Sequence, residues 1–272
     1  GTIDRDQFRV LGFRRGEDPI YSQVEERILE MAESDAIEAA KRSGQILSQG
    51  KLIGFKGVKL SGPIGSYVDD INIFQNWYLT FGAATFLVDN GVASAKKYGS
   101  NLGYMATVRT TDNQSLHSKR RKEVASWAGF DGLFGGGLVG DENGDASKLA
   151  RAGISRVTEL MQQRFAAELW LEQRDLLETR LLGVVEGDKY LDHTVNYDVV
   201  IDRTGDELLR DKAALLVRPA VIKKYEDIFA VDASEPEGLV RYLEERKDRI
   251  VEVGRRSCSY WNASLRREFC RG

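Results

Sequence analysis

Residues 147–183, SKLARAGISRVTELMQQRFAAELWLEQRDLLETRLLG, carry the pattern that most constrains this chain. Val157, Met161, Phe165 and Leu169 recur at every fourth position, and Leu176, Leu177 and Leu181 continue the apolar side. Apolar residues at that spacing share one face of an α-helix. The expectation is a single helix of roughly 30 residues, interrupted at most near Gly153. Such a helix needs neighbours to cover its stripe, as in a bundle or the spine of an assembly. Arg164 and Glu168, four residues apart, are expected to pair on its exposed side.

Other segments repeat this helical reading. In EDPIYSQVEERILEMAESDAIEAAKRSG, Asp18 can cap, Pro19 fits a first helical position, and Ile20, Val24, Ile28, Met31 and Ala32 form an apolar face. The spacing predicts a helix over 19–43, with Gly44 as its stop. INIFQNWYLTFGAATFLVDNG is apolar on all sides and reads as a buried helix ending at Asn90-Gly91; QSLHSKRRKEVASWAGF reads as a further helix. TGDE at 204–207 and SEPE at 234–237 have capping-box spacing, and Pro219 is expected to open a helix through Phe229. Strand signals are fewer: Phe55, Val58 and Leu60; GYMATVRTT; and TVNYDVVID, where Val195, Tyr197 and Val199 alternate with Asn196 and Asp198. The fold class expected is mainly α with a few short strands, an α+β arrangement of long amphipathic helices around one core. No repeat or linker divides the chain, so 1–272 reads as one domain. The glycine-rich stretch 129–147 would be its hinge or excursion loop.

The totals exclude several function classes. With 39 basic against 42 acidic residues the net charge is −3, which argues against a dedicated nucleic-acid binder. The local exception is the basic patch Lys119, Arg120, Arg121 and Lys122, read as a solvated helix face or, alternatively, a nucleic-acid adaptor. No run approaches the roughly 20 apolar residues of a membrane span. The chain starts GTIDRDQFRV, which is not a signal peptide; a soluble, processed mature chain is expected, with its compartment open. Cys258 and Cys270 are too few for a disulfide framework, and reduced thiols are the expectation. The sequons at Asn113 and Asn262 matter only in a secreted protein.

Catalytic constellations are missing from the pattern. In GFDGLFGGGLVGDENGD, Gly140 is followed by Asp141 and Glu142, which would repel a phosphate where a Walker loop needs Lys and Ser or Thr. A calcium loop beginning at Asp141 fails because Ala146 and Ala152 stand where Gly and Glu are required. His117 and His193 have no partner at metal spacing. His193 could serve as a base only if Asp192 or Asp198 held it. Glu168, Glu172 and Asp175 form an acidic row expected to be balanced by Arg164 and Arg174; the alternative is a carboxylate-based enzyme. No cofactor or metal site is expected.

Two resemblances point towards assemblies. LARAGISRVTELMQQRFAAELWLEQRDLLETRLLGVVEGD followed by VNYDVVID resembles the helix–Gly–strand passage of some tailed-phage major capsid proteins, over about a fifth of the chain. The C-terminal residues depart from that pattern, being a charged helix where strands would be expected. FGAATFLVDNG, LGYMATVRTTD and SCSYWNASLRREFCRG are similar to phrases of red-algal phycoerythrin γ-type linkers. Most bilin-carrying cysteines of those linkers have no counterpart, and Arg109 stands where one would be expected, so that resemblance implies no chromophore here.

The sequence therefore reads as a non-enzymatic structural or linker subunit of a large protein assembly, in contact with other protein subunits, like or unlike. A phage shell protein and an antenna linker are its special cases. Trp77, Tyr78, Phe81, Tyr260 and Trp261 are the interface candidates, because Tyr and Trp are favoured contact anchors.

Overall fold

The computed structural model describes residues 10–42, 44, 50–61, 67–92, 98, 100–124, 129–137, 145–186, 192–219 and 221–250. Tyr260, Trp261, both cysteines, and Asp141 and Glu142 of the glycine-rich stretch lie outside them. The described residues form a sheet-rich α/β fold with ten strands, paired both parallel and antiparallel, and this corrects the mainly-α expectation. The chain divides into two compact units.

The first unit draws on Gly1–Gly103, Gly137–Thr158 and Glu186–His193. Its strands are β1 (Val10–Arg15), β2 (Lys51–Ser61), β3 (Tyr67–Trp77) and the start of β4 (Asn101–Arg109). β3 is flanked on both sides: β1 runs parallel to it, with Phe13 opposite Ile71, and β2 antiparallel, from Lys51 opposite Trp77 to Ser61 opposite Tyr67. Central strands are covered on both faces and lose the alternation that marks a half-exposed strand. That is why INIFQNW reads as apolar on all sides, although it is strand; the helix α2 (Tyr78–Asp89) begins only after Trp77. Phe13, Leu52, Ile53, Phe55, Ile71, Ile73, Phe74 and Leu102 are the buried large apolar residues of these strands among those described.

Helix α1 (Gln23–Arg42) starts four residues later than Pro19. Asp18 does not cap it. Its carboxylate pairs with Arg15 at 2.7 Å and accepts from the Gln75 backbone N–H at 2.8 Å. Ser22 does the capping instead: its Oγ accepts from Glu25 N–H at 3.3 Å, and the Glu25 carboxylate accepts from Ser22 N–H at 2.8 Å. α1 packs on α2 through Leu29 and Ala32, which meet Ala83, Ala84 and Tyr98.

The second unit draws on Tyr104–Gly136, Glu159–Val185 and Thr194–Gly272. It holds the rest of β4 with β5 (Gln114–Arg120), β6 (Asp131–Gly132), β7 (Phe134–Gly137), β8 (Leu176–Glu186), β9 (Asp192–Ile201) and β10 (Tyr225–Asp232). QSLHSKR is β5, not helix; it pairs antiparallel with β10 from Gln114 opposite Asp232 to Arg120 opposite Tyr225. The segment after Pro219 turns and enters β10, where a helix was expected. β9 pairs with both β4 and β8. Helices α4 (Gly205–Arg210), α5 (Lys212–Leu216) and α6 (Pro236–Glu245) complete the set. Thr204 and Glu207 form the expected capping box of α4. At α6 the Ser234 hydroxyl donates to Asp232 at 2.7 Å and does not cap the helix.

The 30-residue helix is the largest departure. Helix α3 spans Ala146–Leu169, with non-helical Gly153 at φ 73° inside it, and then stops. Trp170 takes φ 56°, and Leu171 N–H reaches back to Ala166 O at 2.9 Å. This is the helix-ending turn that glycine usually makes, here made by tryptophan. Gln173–Asp175 form a short 3-10 turn, and Leu176, Leu177 and Leu181 belong to β8.

Candidate functional site

The acidic row does not exist as a row. Glu168 is 2% exposed, on the last turn of α3. Its carboxylate accepts from Lys224 Nζ and lies 3.4 Å from the Tyr225 hydroxyl. Burial pushes the Tyr225 phenol well above its usual pKa, and the charge of Glu168 adds to this, so the hydroxyl stays a proton donor. Glu172 and Asp175 have left the helix and cap the 3-10 turn reciprocally. The Glu168 contacts thus run to residues some fifty-six positions away, not to Arg164 on the next turn.

Around this cluster the fold brings several segments together within the second unit. Phe134 of β7 meets Phe165 of α3 and Tyr225 of β10 edge to face, each at 5.6 Å between ring centroids. Gly135 lies so close to β4 that a Cβ on it would stand 2.5 Å from the Tyr104 carbonyl oxygen, so only glycine fits there. The Arg164 guanidinium carbon is 6.0 Å from the centroid of the Tyr104 ring. Nearby, Leu169, Trp170, Leu171, Leu208 and Leu215, together with Glu172, Arg203 and Asp211, line a cleft of about 300 Å³. The exposed Trp170 ring carries the Arg218 guanidinium at 5.1 Å.

A different kind of feature occupies the first unit. The face of α1 that packs inward is Leu29, Ala32, Ala36 and Ala40. Other large apolar residues in and just before the helix point out: Val24 is 67% exposed, Ile28 43% and Met31 70%, and Ile20, ahead of the helix, 92%. The sequence pattern finds this stripe but misplaces its role, because an apolar stripe reads as the core-facing one. Only Ala32 of the expected face is buried.

The other expected residues fall as follows. Trp77 is exposed, with Lys51 Nζ 5.5 Å from its ring. Tyr78 is half-buried, and its hydroxyl lies 3.0 Å from where a Cβ on Gly137 would be. Phe81 packs against the α1–α2 cluster. Lys119, Arg120, Arg121 and Lys122 form no helix face; Lys119 and Arg120 close β5, where successive side chains point to opposite sides. Lys119 is paired with Glu226 at 2.6 Å. His193 stacks on Phe55 with ring centroids 4.1 Å apart. Asp198 belongs to Arg109, which donates to it through Nε at 3.0 Å and Nη2 at 2.8 Å. His117 is buried between Phe229 and Tyr242, and Ser115 Oγ is 3.1 Å from its Nε2. Among the described residues no group of three or more His, Cys, Asp or Glu side chains could hold a metal ion. Among them, too, no helix is long and apolar enough to cross a membrane.

No family model matches the chain, and no curated protein matches it. Among solved structures it is similar to that of DR0079 from Deinococcus radiodurans, at 14% identity over 54% of this chain and 74% of that one, with a TM-score of 0.34. At that score the likeness carries no argument about fold or activity.

Proposed function

We propose that the protein is a non-catalytic subunit of a larger protein assembly and docks on its partner through the outer face of α1. The observation that carries this reading is the split of the helix: Leu29 and three alanines inward, and Val24, Ile28 and Met31 outward, with Ile20 ahead of the helix. Contiguous exposed apolar patches of this kind mark interaction sites. α1 carries six acidic residues (Glu25, Glu26, Glu30, Glu33, Asp35, Glu38) against three basic ones (Arg27, Lys41, Arg42), a balance of −3. Two copies laid face to face would oppose like charges, which is costly at an interface. The partner this surface fits is therefore a different chain, apolar at its contact and rimmed by Lys or Arg.

The test is light scattering on the protein purified together with its native companions at low salt. The expected mass is well above 30.5 kDa. The double variant Val24→Glu/Met31→Glu should fall to the monomer mass with its far-UV spectrum unchanged. A wild-type protein that runs as a monomer with no companion chain overturns the reading, as does a double variant that keeps its partner.

A further inference from the structure

We propose that the outer edge of β8 pairs with the same edge of a second copy of this chain, antiparallel and centred on Thr179. Among the described residues β8 pairs with β9 alone, so its other edge carries no strand. An uncovered strand edge is a row of backbone donors and acceptors on which another strand can form. Proteins commonly blunt such edges with proline or with charges, lysine above all. Residues 176–182, LLETRLL, contain neither proline nor lysine, and their two charges, Glu178 and Arg180, cancel. No layer hides them either: Leu177 is 55% exposed, Glu178 is exposed, and the remaining five are half-exposed.

The order of the residues selects the partner. LLETRLL reads the same from either end apart from its two charges, which are opposite in sign. With a two-fold axis through Thr179, Leu176 stands opposite the second copy's Leu182, Leu177 opposite its Leu181, and Glu178 opposite its Arg180. Apolar pairs and opposite charges directly across from one another stabilise a strand pair. Sliding the strands by one residue sets Glu178 against Thr179 or Leu181 instead, so the match fixes the register. Within one chain Arg180 Nη2 already lies 3.1 Å from Glu178. Side chains two apart share a face of a strand, so pairing gives each of these charges a second opposite neighbour. This differs from α1, where two copies would oppose like charges. The match ends where Gly183 takes φ 155°, a value that regular strands do not adopt. Residues 176–182 amount to about a third of the roughly 20–30 residues a side of a standard interface. The pair alone is therefore weak and comes apart on dilution, and any companion that holds two copies close together tightens it. The inference does not depend on the α1 contact, which lies in the other unit.

Sedimentation equilibrium from micromolar to millimolar protein, without companion chains, tests it. The mass should rise with concentration from 30.5 kDa to twice that value and no further, because the two-fold pair uses up both edges. Glu178→Arg should weaken the dimer at least tenfold, since it sets a second cation against Arg180; the side chain is 51% exposed, so the fold survives. Thr179→Cys, made with Cys258→Ser and Cys270→Ser, should form a disulfide-linked dimer under mild oxidation, its two sulfurs meeting at the axis. Leu177→Cys in the same background should not, although it is the more exposed position, because its counterpart in the second copy lies beyond disulfide reach. Mixed with Leu181→Cys, it should. A wild type that stays at 30.5 kDa up to millimolar concentration overturns the proposal, and does so equally if a different companion chain is found to protect the β8 amides. Equal crosslinking of Thr179→Cys and Leu177→Cys overturns it too, as does a dimer that Glu178→Arg leaves unchanged. Val24→Glu/Met31→Glu separates this from the α1 reading: that variant should lose its companion and keep the dimer that forms at high concentration.

Discussion

At the scale of single residues, the buried polar groups decide most. Burial pushes His117 from its ordinary pKa of 6.5 down to about 3, because the ring has no charged partner and little water. Between those values the unfolded chain binds a proton that the native protein refuses. Stability is therefore undiminished above pH 6.5 and declines as pH falls through the window towards 3. Urea midpoints measured from pH 7.5 to 4.5 should drop more steeply for the wild type than for His117→Phe, whose ring stays between Phe229 and Tyr242 but cannot charge. Parallel slopes would mean that His117 contributes nothing to acid sensitivity. Nothing in LHSK separates a buried histidine from an exposed one. It becomes legible only when β10 is known to lie alongside β5. Trp170 is similar: a helix end is sought at glycine, and a tryptophan in the left-handed region gives no warning.

At the scale of elements, the strands were the harder part to read. β4, β9 and α1 are plain in the sequence, since GYMATVR and TVNYDVV have strand composition and α1 has helical spacing. The rest fails for a shared physical reason. A strand covered on both faces carries no period of two, and a strand that follows an α-helix directly can prolong its apolar pattern by chance, as Leu176, Leu177 and Leu181 do. The pairing of β2 with β3 makes its own prediction. Gly54 faces Phe74, and a Cβ there would stand 2.3 Å from the ring, with Phe74 itself buried. Gly54→Ala should cost about 1–3 kcal/mol, the usual penalty of overpacking a core. Thermal denaturation would show it as a lowered Tm; an unchanged Tm would mean that the Phe74 ring swings aside without loss.

At the scale of the whole molecule, each unit has its own buried set, and long-range polar pairs tie distant parts of the sequence together inside it. The clearest is Asp198, 1% exposed, which neutralises Arg109 through two hydrogen bonds and stands 3.7 Å from Arg180. Removing the carboxylate while keeping both guanidinium groups should cost about 3–5 kcal/mol, since breaking a buried pair costs far more than the pair contributes. Chemical denaturation of Asp198→Ala measures this; a loss below about 1 kcal/mol would show that water reaches the guanidinium groups. The candidate sites were legible to different degrees. The α1 stripe was present in the sequence with its direction reversed, whereas Glu168 meets Lys224 and Tyr225 from across more than fifty positions, which no local spacing connects.

The inward face of α1 has one further consequence. Apart from Leu29 that face is alanine, whose methyls exclude little water, so most of the helix's length is seated by small groups. A cover laid over Val24, Ile28 and Met31 would hide oil-like surface that now faces water. Part of the helix's permanence would then come from its guest, and amide exchange along it should slow once that guest arrives.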